Sequence, residues 1–204
     1  MDALLAFAAA VISFRLTGLL LARWRARRAP ELLAWSASLA AFAVASAALA
    51  WAAAAGWSPA AFRLYYLFGA LLTAPLLGVG SLLLAGRRWA APVGLLYAGL
   101  AVGLAVAVPL KGSFAGNEIP DTAEHLAFVP ARVVAVAGNA LGTLAVVGIA
   151  LATVRRRPLG NALIVAGVAV AAAGTALFGV GVAQTAASLA VAAALLYAGF
   201  VARR

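Results

Sequence analysis

Apolar runs long enough to cross a bilayer, separated by short Arg-rich breaks, recur along the whole chain. A helix needs roughly 20 such residues to cross about 30 Å of hydrocarbon at about 1.5 Å per residue. The runs fall at 3–23, 31–55, 60–85, 90–110, 131–153, 159–178 and 185–202. Inside lipid the backbone must bond to itself, so each run is read as a helix. The expected fold is all-α: a polytopic membrane protein, one seven-transmembrane-helix bundle over 1–204. Composition removes the soluble alternative. Of the residues, 67% are hydrophobic and 10% charged, whereas a soluble domain carries about 25% charged residues.

Boundaries follow from local chemistry. Pro30, Pro59, Pro92, Pro130 and Pro158 lie near span starts, where a missing N–H removes no helical bond. Ser58 before Pro59 reads as an N-cap. Residues 158–202 carry no charge and suit two spans rather than one. Gly179, Gly181 and Gln184 are expected to form the turn between them. The first run lacks a basic leader and is followed by Arg residues, so it reads as an uncleaved helix.

Charge sets the expected orientation. Arg23, Arg25, Arg27, Arg28, Arg87, Arg88, Arg155, Arg156, Arg157, Arg203 and Arg204 fall on one side of this span map. Arg63, Lys111 and Arg132 fall on the other, with Asp2, Glu118, Asp121 and Glu124. Basic residues favour the cytoplasm. The N-terminus is therefore expected outside, the C-terminus in the cytoplasm and the 111–130 loop outside, in the plasma membrane. The net charge of +10 is read as orientation, and no nucleic-acid partner is expected.

Absences narrow the chemistry. The chain has no Cys, and His125 is its only His, which excludes disulfides, Cys/His zinc and bis-His haem. No span holds a carboxylate well inside it, so proton relays and general acid–base hydrolysis lack their groups. The only Lys, Lys111, lies in the outer loop, away from a retinal position. No catalytic residue, metal or cofactor is expected. Glu118, Asp121, Glu124 and His125 lack ligand spacing. Asp121 and Glu124 read instead as a capping box opening a short interfacial helix at 122–128, with His125 near Phe128.

The candidate site residues are the polar groups inside the spans. Arg15, flanked by Ser13 and Thr17, stands mid-span. An Arg there costs about 2.5 kcal/mol or more unless it meets protein, water or an anion. Its side chain is expected to point into the bundle, since the interface lies about 12 Å away along the helix. Arg63, Tyr65 and Tyr66 open the third span. Tyr66, Gly69, Thr73, Leu77 and Gly80 share a helical face, and Pro75 within this span is expected to kink it. The alternative for these residues is an interfacial aromatic belt with ordinary packing. Asn139, Asn161 and Gln184 suit hydrogen bonds between helices. The pairs Gly99/Gly103, Gly138/Gly142 and Gly167/Ala171 suit close packing.

The stretch holding Trp35, Gly56-Trp57, Arg63-Leu64-Tyr65-Tyr66-Leu67-Phe68-Gly69-Ala70 and Gly78-Val79-Gly80-Ser81-Leu82 resembles a group of uncharacterised small actinobacterial membrane proteins. The resemblance covers mostly the second and third helices. It implies a multi-pass plasma-membrane protein and gives no activity.

Two functions are compatible with these residues. One is binding or transport of a small anionic or amphipathic ligand, such as a lipid, in a cavity lined by Arg15, Arg63, Tyr65, Tyr66, Thr73 and Asn139. The other is a structural or interaction protein that partners another membrane protein. A wet cavity reaching Arg15 would favour the first; a tightly packed bundle with an exposed Gly-rich face would favour the second.

Overall fold

A computed structural model describes residues 1–112, 114, 118–126, 129–155, 157–176 and 181–202. Its helices are α1 Asp2–Arg27, α2 Pro30–Ala55, α3 Pro59–Leu64, α4 Ala74–Leu84, α5 Ala90–Ala107, α6 Thr122–His125, α7 Val129–Ala152, α8 Pro158–Ala176 and α9 Val182–Val201. A π-helical segment, Tyr65–Thr73, joins α3 to α4, so Pro59–Leu84 crosses as one rod. Six of these stretches are long and apolar enough to span a membrane, and α8 is a shorter apolar helix. The protein is a helical membrane bundle.

Start and stop signals act as their chemistry requires. Pro30 and Pro59 occupy the first turns of α2 and α3. The Ala61 N–H donates to Ser58 Oγ at 3.2 Å, the expected cap. Gly56 and Gly86 follow the ends of α2 and α4 with φ of 86° and 81°, a conformation in which a Cβ is strained. The fourth span ends at Ala107, earlier than the expected 110. Val108 precedes Pro109 and is driven to extended backbone, ψ 121°, because the proline ring clashes with a helical predecessor.

The 111–130 loop partly matches its expectation. Its helix is the single turn Thr122–His125. The Lys111 N–H donates to the His125 carbonyl at 3.0 Å and ties the two ends of the loop together. The His125 ring lies against Phe114 (4.7 Å) and Phe62 (5.9 Å). Phe128 and the Glu124 side chain, named in the expectation, lie outside the described residues. So do Gly179, Arg156, Arg203 and Arg204. Gln184 is a correction: it sits in the first turn of α9, with Gly181 as the N-cap, because α9 begins three residues earlier than the expected 185.

The centre of the bundle is α2, which packs on α1, the π segment and α4; α7 crosses α4, and α9 lies on α1 and α8. Lipid is as apolar as Leu, so helices here associate through close van der Waals contact at small residues. At the α4–α7 crossing a Cβ on Gly78 would lie 2.7 Å from the Gly142 Cα. A Cβ on Gly142 would collide with the Ala74 carbonyl, and one on Gly138 with the Tyr97 hydroxyl. Gly167 meets the Ala192 carbonyl of α9 in the same way, at 3.2 Å. Gly99 and Gly103, expected to pack closely, have open space: α5 packs on the π segment and α4 through its other face, and both glycines face outward.

Candidate functional site

Pro75 organises the polar interior. It has no N–H to donate, and in a π register the carbonyl left without its i→i+5 partner is that of Ala70. Asn139 of α7 supplies the substitute: its Nδ2 donates to the Ala70 carbonyl at 2.6 Å and to the Ala135 carbonyl at 3.0 Å. Gly138 and Gly142 flank Asn139 and let α7 come close enough for this bond. Two further hydroxyls serve the same stretch. Thr73 Oγ1 donates to the Phe68 carbonyl at 2.7 Å, and Ser38 Oγ of α2 donates to the Thr73 carbonyl at 2.6 Å. A backbone widened at a proline thus receives side-chain donors at the Phe68, Ala70 and Thr73 carbonyls, as a low-dielectric interior favours.

The aromatic and basic residues at the start of this rod are also engaged. Tyr66 is buried, stacks on Phe62 at 6.1 Å and donates its hydroxyl to the Ala131 carbonyl at 3.0 Å. Half-buried Tyr65 stands edge-on to Trp57 at 5.5 Å. Arg63 Nη1 donates to the carbonyls of Ala105 and Val106. These belong to the last turn of α5, whose terminal carbonyls lack helical partners and carry the negative end of the helix dipole. The Arg-rich end repeats the device on α9. Arg23 donates to the Phe200 carbonyl at 3.2 Å, and Arg157 to the Ala202 carbonyl at 2.9 Å. Sequence reasoning placed Arg23 and Arg157 as orientation signals and missed that they close a helix end.

The expected single face of Tyr66, Gly69, Thr73, Leu77 and Gly80 is divided. A Cβ on Gly69 would meet Ala45 of α2 at 3.3 Å, and one on Gly80 would enter the Trp35 ring of α2. Tyr66 reaches α7 instead. The π segment adds about one residue to each turn and so rotates the residues beyond it away from the α-helical register.

Arg15 overturns its expectation. Its side chain is exposed on the outer face of α1 and makes no hydrogen bond or ion pair among the described residues. The inner face of α1 is Ala6, Ala9, Ala10, Ser13, Leu16 and Leu20, which pack on α2 and α9. Arg15 is two residues from Ser13, about 200° around the helix, so burying Ser13 turns Arg15 outward. Side-chain reach bears on the depth of Arg15 and not on its direction around the helix. Thr17 offers it nothing either, since its hydroxyl donates to the Ser13 carbonyl at 2.9 Å.

The six candidate residues therefore do not meet around one space. Tyr66, Thr73 and Asn139 belong to the α7 and α2 contacts, Tyr65 to Trp57, Arg63 to α5, and Arg15 to the outer surface. An open groove of about 330 Å³ is lined by Arg63, Leu64, Leu67, Ala105 and Val106. Compared with known protein families, curated proteins and solved structures, the chain matches none.

Proposed function

We propose that this chain is a multi-pass plasma-membrane protein that acts by associating laterally with another membrane protein, with α1 supplying the surface. The observation that supports this reading is Arg15: a guanidinium exposed on the outer face of a spanning helix, without a hydrogen bond or ion pair among the described residues. A charge in that position costs about 2.5 kcal/mol or more against lipid, and a neighbouring protein removes the cost. The interior points the same way, because the donors of Asn139, Tyr66, Thr73 and Arg63 are already bonded to backbone carbonyls. The proposal assigns no catalytic role. Photo-crosslinking in intact membranes tests it, with a photoreactive residue at Phe14 on α1 or at Leu96 on α5. A discrete protein adduct is expected from Phe14 and only lipid adducts from Leu96. Lipid adducts alone from both would end the reading.

A second reading, a lipid or other amphipathic ligand, draws on the groove beside Arg63. Its walls are aliphatic and it opens toward lipid, which suits an acyl chain. Native mass spectrometry of the wild type and of Leu67→Trp, which fills the groove, would separate this reading from general lipid solvation: a retained lipid lost in the variant supports it.

A further inference from the structure

We infer that the Arg15 face of α1 receives a transmembrane helix of another protein carrying an Asp or Glu at the depth of Arg15. The inference rests on lateral association and names the chemistry of the partner.

Depth argues against the lipid headgroup as the counter-charge. Arg15 lies eight residues before Arg23, whose side chain binds the end of α9. That is about 12 Å of helix, against a side-chain reach of roughly 6–7 Å. In the other direction Asp2, the nearest acid of its own helix, is about 20 Å away.

The surface around Arg15 is shaped for a helix. Leu4, Phe7, Val11, Phe14 and Gly18 follow one another at alternating steps of three and four residues, and all are exposed. That spacing is the seam along which two helices pack knobs into holes. Phe14 and Phe7, 72% and 59% exposed, are large knobs. Gly18 has nothing within 4 Å of where a Cβ would stand, so it forms a notch one turn from Arg15. Arg15 itself occupies the position beside the seam, where interhelical ion pairs set partner choice.

Charge decides the occupant. A second copy in the same orientation would present its own Arg15 at the same depth, and the described spans hold no carboxylate there. A wholly apolar helix would fit the seam but leave the guanidinium unpaired in hydrocarbon. A helix with a mid-span Asp or Glu carries the opposite liability, and pairing removes both together. Once such a pair is buried, removing either member is strongly unfavourable.

The test uses synthetic Leu-rich transmembrane peptides with a central Glu, Gln or Lys. The full-length protein is labelled through a single introduced Cys at position 26 and reconstituted in phosphatidylcholine vesicles, and association is read by energy transfer. The Glu peptide is expected to bind roughly tenfold more tightly than the Gln peptide. Arg15→Leu should lose that preference, Arg15→Lys should keep most of it, and Arg15→Glu should shift it to the Lys peptide. Unchanged helical circular dichroism in the three variants keeps the comparison one of binding. Equal binding of Glu and Gln peptides to the wild type would overturn the inference, as would a Glu preference that survives Arg15→Leu. Loss of the preference on adding phosphatidylglycerol would also overturn it, since the site would then take phosphate. A protein crosslink from Phe14 without any Glu preference defeats the carboxylate alone and leaves lateral association standing.

Discussion

Arg63 and Arg15 are both guanidinium groups set in apolar helices, and they meet opposite surroundings. Arg63 lies near the start of its rod and donates to the last carbonyls of α5. Arg15 lies mid-span and faces out of the bundle with no hydrogen bond or ion pair among the described residues. The glycines divide in the same way. Gly78 and Gly142 are in backbone contact, while Gly18, Gly99 and Gly103 border open space. One region has thus used its polar and small residues to complete itself, and the other holds them unused on a surface. In a bilayer this difference is informative, because an exposed Leu lies comfortably in lipid and an exposed Arg does not.

Substitutions can break the comparison. The largest effect is expected at the α4–α7 crossing. Gly142→Leu should destabilise the protein by ~3 kcal/mol, because a side chain there meets the Ala74 backbone and cannot be relieved by a rotamer change. Gly99→Leu, of equal size, should stay within about 0.5 kcal/mol of wild type. Thermal denaturation in detergent measures both, and similar losses would erase the distinction between the two regions.

Asn139→Leu should cost ~1 kcal/mol by the same measurement, since it leaves the Ala70 carbonyl without its donor beside Pro75. Adding Pro75→Ala restores a backbone N–H and should recover part of the loss. No recovery would mean that Asn139 acts by packing rather than by serving the proline.

The smallest effect sharpens the contrast between the two arginines. Arg63→Gln should lower stability by about 0.5 kcal/mol through the end of α5. Arg15→Gln should leave the isolated protein unchanged or slightly more stable, because no intramolecular contact is lost. A clear loss of stability for Arg15→Gln would show that Arg15 supports the fold.

The sequence by itself determined most of what is read along the chain. Run lengths placed the spans, prolines and the Ser58 cap placed their starts, and Arg clusters marked one end of the bundle. That Asn139 would bond across helices was legible too, because a carboxamide in hydrocarbon needs a partner. What only the tertiary structure decided is direction around each helix. α1 is apolar nearly all round, so no contrast between polar and apolar faces tells which side turns inward. The fit of Ala6, Ala9, Ala10 and Ser13 against α2 and α9 made that choice and sent Arg15 outward. The same holds for the glycine pairs, identical in spacing and opposite in use, and for the π register, which hands Ala70 to Asn139 and divides the Tyr66 face. Spacing is a property of one helix; which face is inside depends on the neighbour packed against it.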